Sequence, residues 1–74
     1  MVRLMERERL LHFGALAPPL KSQLADFDLP SLEIEHWQKD ADAIVRLRVR
    51  GLIPAKVADS AYLKIMRQIN KAIR

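Results

Sequence analysis

His36 and Asp40 stand four residues apart, close enough on one helix for the carboxylate to orient the imidazole as a base. Such a base needs a nucleophile or a bound substrate beside it. The chain has no cysteine, and Ser22, Ser31 and Ser60 have no evident base next to them. Helical spacing also puts His36 and Asp40 on the side away from Trp37 and Ala41, where a histidine beside a carboxylate is usually an inert surface pair. His12 is the only other histidine. Gly14 and Gly51 are too few for a glycine-rich phosphate loop, and no H-E-x-x-H is present. No Cys/His cluster offers a zinc site. The expectation is a protein that is not an enzyme, with no catalytic residues, metal, cofactor or small-molecule substrate.

Positive charge is the stronger signal. Residues 1–42 carry five Lys/Arg against eight Asp/Glu, while residues 43–74 carry eight Lys/Arg against Asp59 alone. Such asymmetry favours an acidic partner: nucleic acid, an acidic protein surface or anionic lipid. At ~100° per residue, Lys56, Ser60, Lys64, Arg67, Lys71 and Arg74 fall in one narrow sector. Ala58, Ala61, Tyr62, Ile65, Ile69, Ala72 and Ile73 lie nearly opposite. A solvated helix face usually mixes Glu with Lys, whereas this one is basic with no acid between. It suits a phosphate backbone, where each contact releases counterions. Arg46 and Arg50, at the end of the preceding segment, join it as candidate contacts. Side chains for reading bases are few, with Arg67 and Asn70 the best placed, so backbone or shape recognition is expected over sequence reading. Tyr62, on the apolar side, is the only nearby aromatic for stacking a single strand.

A second reading uses Trp37, Arg48 and Tyr62 as a protein interface. Trp37, the single tryptophan, lies on an apolar stripe with Ile34, Ala41, Ile44 and Val45. It is a core anchor or an interface hot spot, where tryptophan is enriched. Arg48 falls on that same side. An unpaired buried guanidinium is very costly, so its stem packs while its head reaches water, or it pairs with an acid, or it belongs to a binding surface. On this reading the protein is an adaptor or inhibitor that docks on a larger host or viral protein through Trp37 and an apolar helix face.

The elements that would position these residues are marked by Gly14, Pro18-Pro19, Pro30 and the run from Gly51 to Pro54. Residues 2–13 have helical spacing. Leu20, Leu24 and Phe27 mark one face of a short helix behind Pro19. Residues 31–50 read as a long helix, with Ser31 as N-cap and Glu33 and Glu35 at the positive end of its dipole. Glu35 with Lys39, and Asp42 with Arg46, are spaced as i,i+4 ion pairs. Gly51 suits the residue just past a helix end, with Leu52 placed to pack back. Pro54 suits a first helical position, opening a helix over 54–74.

Residues 45–49 also alternate, with Val45, Leu47 and Val49 against Arg46, Arg48 and Arg50. "RLRVRGLIP" resembles the basic strand of ribbon-helix-helix proteins, which pairs with its twin in a dimer and reads a DNA groove. That family follows the strand with two helices, and the residues left here suffice for one. No other segment offers a partner strand, so the helix is preferred. The two helices around "GLIP" also resemble the short helical hairpins called SHOCT domains. Gly51, Leu52, Ile53 and the spacing of Val57, Ala58, Ala61 and Ile65 fit them. Pro54, Ala55 and Lys56 stand where that family usually has acids.

The expected fold is all-α and a single domain over 1–74. It is a compact bundle of three to four helices with a C-terminal antiparallel helical hairpin (31–50, 54–74). Residues 1–30 form an N-terminal segment packed over it, loosely ordered without a partner. A core this small supplies only ~3–5 kcal/mol without a staple, so a homodimer is expected. The N-terminus is basic and then apolar, but Glu6, Arg7, Glu8 and Arg9 interrupt it, so no signal peptide is read there. No apolar run reaches membrane-spanning length. A cytoplasmic regulatory or accessory protein, of the kind phage and mobile elements encode, is the class this pattern suggests.

Overall fold

Among the described residues each helix is entered through a proline. The computed structural model describes residues 11–73, and its helices are α1 (Leu20–Gln23), α2 (Ser31–Val49) and α3 (Ala55–Ile73). The carbonyl of Pro19 accepts the N–H groups of Ser22 and Gln23, that of Pro30 those of Glu33 and Ile34, and that of Pro54 those of Val57 and Ala58. Proline has no N–H to leave unpaired, and its locked φ suits the residue just before a helix. Pro30 has φ −61° and ψ 133°, an extended cap geometry, with no side-chain cap hydrogen bond. Ser31 is therefore the first helical residue, not the cap the sequence led us to expect. In the same way Pro19 and Pro54 precede their helices.

No strand occurs among the described residues, and residues 45–49 belong to α2. The end of α2 shows why. Gly51 has φ +74°, a left-handed conformation that favours glycine. Its N–H donates to Arg48 at 3.1 Å, and that of Leu52 reaches back to Leu47 at 2.9 Å. This pair of bonds satisfies carbonyls that the last helical turn would leave open. Leu52 does not fold back into cover, however, and remains 65% exposed.

The helix expected over 20–27 lasts one turn. After Gln23 the N–H of Ala25 turns to Ser22 and that of Phe27 to Leu24, both tighter than α-helical spacing. Pro30 then holds the preceding backbone extended. The helix expected over 2–13 lies outside the described residues up to residue 10, and residues 11–13 are not helical.

Two glutamine side chains fasten this irregular segment. Gln38 on α2 accepts a hydrogen bond from the Leu20 N–H at 2.7 Å, so it meets one of the free donors at the start of α1. Its Nε2 donates to Asp42 at 2.9 Å, which replaces the expected pairing of Asp42 with Arg46. Gln23 accepts from the N–H of His12 and donates to the carbonyls of His12 and Pro18. One side chain thus holds two stretches that are eleven residues apart.

These links bring residues 11–29 onto α2 and α3. Leu11, Leu20 and Leu24 join Trp37, Ala41, Ile65 and Ile69 in one buried cluster. The whole measures 35 × 30 × 18 Å. The short dimension is about two helix diameters, so the molecule is two layers deep.

Candidate nucleic-acid interface

Among the described residues nothing shields the basic face of α3 from solvent. Ala58, Ile65 and Ile69 are buried, and Ala61, Tyr62, Met66 and Ile73 are half-buried beside them. Lys56, Lys64, Arg67 and Lys71 are all exposed on the other side. Their i, i+4 and i+3 spacing stacks them as neighbours along one ridge. Asp59 is exposed but lies outside that ridge by helical spacing. Ser60 is also exposed, its hydroxyl donating to the Lys56 carbonyl of the same helix at 3.1 Å. The ridge therefore carries lysine and arginine with no carboxylate. Arg74 lies outside the described residues.

Arg46 and Arg50 are exposed as well. They stand across α2 from Ala41 and Ile44, whereas the α3 ridge stands across α3 from Ile65 and Ile69. Two helices whose buried sides face one cluster point their outer sides apart. The structure therefore splits the cations grouped by the sequence into two sets. Arg46 lines a cleft of about 540 Å³ that includes His12, Gln38 and Asp42. It faces residues 12–20 rather than the α3 ridge.

Trp37 is 8% exposed and packs in the core. Tyr62 is half-buried, its ring stacked on Phe13 with centroids 5.1 Å apart and planes 10° apart. Arg48 is exposed. Its charge is felt at Tyr62. Burial raises the Tyr62 phenol above its ordinary value, Asp59 raises it further, and Arg48 opposes both. Tyr62 is the only tyrosine, so absorbance reads its titration directly. Its midpoint will lie above about 10. Arg48→Ala will raise it further, and Asp59→Asn will lower it. A folded-state pKa above the unfolded one means that the contribution to stability is intact below the unfolded value. It is lost as pH rises through the folded one. A midpoint that ignores Arg48→Ala would mean that the guanidinium is not beside the phenol.

His36 and Asp40 are both exposed on α2. Sequence reasoning missed the exposed aliphatic residues. Val49 is 72%, Leu52 65%, Val57 50%, Leu63 41% and Leu47 39% exposed. The signal was present for Leu63, which helical spacing sets beside Lys56 and Arg67. For Leu47 and Val57 it was absent, because each borders an apolar stripe. Among the described residues no helix is long and apolar enough to cross a membrane.

Comparison with protein-family models, curated proteins and solved structures finds no match. Among the described residues the fold is all-helical, and the outer face of α3 is basic with no acid on it. A functional reading therefore rests on that face.

Proposed function

We propose that this is a non-enzymatic regulatory or accessory protein of the cytoplasm that binds nucleic acid through the phosphate backbone. In this reading α2 and α3 form an antiparallel hairpin, with residues 11–29 packed over one side, and α3 lays its outer ridge along the phosphates. One observation carries the reading. Lys56, Lys64, Arg67 and Lys71 are exposed along one helix face, with no acid on it and a buried apolar face behind. Arg46 and Arg50 would serve a second strand or a longer site, because they lie at the other edge.

The test is the salt dependence of binding to random duplex. Log affinity should fall linearly with log salt. Lys56→Ala, Arg67→Ala and Lys71→Ala together should make the slope shallower by about 0.9 for each residue in contact. The loss should be similar on unrelated sequences, since phosphate contacts carry little base information. These side chains are exposed, so the helical circular dichroism should not change. No binding to duplex or single strand at low salt would refute the reading. The protein-docking reading would then lead, supported by the exposed Leu47, Leu52 and Val57 rather than by Trp37, which lies in the core.

A further inference from the structure

The cleft between α2 and α3 has walls of opposite charge. It holds about 310 Å³, with Asp40, Ala43 and Ile44 on the α2 side and Ala61, Lys64 and Ile65 on the α3 side. Helical spacing carries both walls onward. Leu47 follows Ala43 and Ile44 at i+4 and i+3, and Val57 precedes Ala61 by four. Leu47 and Val57 are partly exposed aliphatic side chains with no polar reason to face water. The opposite side of the helix pair is covered, with Phe13 stacked on Tyr62 and Leu20 and Leu24 fully buried. Among the described residues the pair thus has one covered side and one open side.

We infer that a second copy of this chain docks on the open side, with the two-fold axis running along the helices. The charges select both the occupant and the axis. A nucleic acid would be repelled by Asp40, and a uniformly acidic partner would be too. A second copy answers each wall with the other. With the axis along the helices, each α2 lies over the α3 of the other copy. Asp40 then meets Lys64 of the second copy, and symmetry makes the pair twice. An axis across the helices would set Asp40 on Asp40 and Lys64 on Lys64. Ala43 and Ala61 let the backbones approach, and Ile44, Leu47 and Val57 supply apolar area. The rim charges set the register more than the strength.

Asp40 and the aliphatic walls are not part of the α3 ridge, but Lys64 belongs to both, so Asp40→Lys is the variant that separates assembly from what the ridge binds. The experiment is sedimentation equilibrium of the full chain across the micromolar range. The parent should be a dimer. Asp40→Lys alone and Lys64→Asp alone should each weaken dimerisation by about tenfold or more, since like charges then meet at two places. The double variant Asp40→Lys, Lys64→Asp should return to near the parent constant. Both positions are exposed, and unchanged circular dichroism confirms that each variant folds. A parent that stays monomeric at the highest concentration overturns the inference. So does a dimer that neither single reversal weakens, or one that the double variant fails to restore. If Asp40→Lys abolishes the dimer while nucleic-acid binding persists, assembly is separated from the function of the ridge.

Discussion

Trp37→Ala will leave much of the population unfolded at room temperature. Trp37 is 8% exposed in the same cluster as Leu20, Leu24, Ala41, Ile65 and Ile69. Removing an indole from such a site costs about 3–5 kcal/mol in lost burial and cavity. A single core of this length has only ~3–5 kcal/mol to lose, so folded and unfolded chains become comparable or the unfolded ones prevail. Circular dichroism should show most of the helical signal gone, or a melt that begins at the lowest temperatures. Leu16→Ala is the matched control. Leu16 is 99% exposed, and its loss should alter stability by no more than about 0.5 kcal/mol. If Trp37→Ala melts within a few degrees of the parent, the tryptophan is not a core anchor. The docking role considered for it would then regain its force.

Val49→Pro should cost about 3 kcal/mol or more. Val49 is the last residue of α2, and a proline ring there collides with the preceding turn and pushes Arg48 out of helical conformation. It also disturbs the closing bonds that Gly51 and Leu52 make to Arg48 and Leu47. The side chain itself is 72% exposed, so Val49→Ala should be nearly neutral. The contrast isolates the backbone. Thermal melts of both variants decide the matter, since 1 kcal/mol shifts the midpoint by roughly 4–8 °C in a domain of this size. On a strand, Val49→Ala would instead be the costlier of the two at a sheet edge, where proline is tolerated. That result would revive the resemblance of "RLRVRGLIP" to a basic strand.

Much of the local structure was legible because it depends on local rules. Prolines 19, 30 and 54 mark the starts of the helices, and Gly51 marks the end of α2, because each constrains its own backbone. The errors at these ends were of one residue, as at Ser31, where the proline before it already had the cap geometry. The basic ridge of α3 and its apolar reverse were legible for the same reason. A fixed angle per residue decides which side chains share a face. The alternating stretch at 45–49 misled only while it was read alone, since a strand needs a partner and a helix does not.

Tertiary structure decided which apolar faces meet. Periodicity marks a face as apolar without saying what lies against it. The 3.6-residue pattern of α2 holds whether Trp37 faces a second copy or Leu20 and Leu24, and only the packed chain places it with the leucines. The same packing turned the outer sides of α2 and α3 apart, which separated Arg46 and Arg50 from Lys56, Lys64, Arg67 and Lys71. It also set Gln38 against the start of α1 and Gln23 against His12 and Pro18. Those hydrogen bonds join residues up to eighteen apart, beyond the reach of any local propensity. By itself the sequence determined where α1, α2 and α3 begin, where α2 ends and which faces of the two long helices carry charge. The physical reason is that dihedral preferences act within a turn or two, whereas burial is shared among segments and is settled only when they pack together.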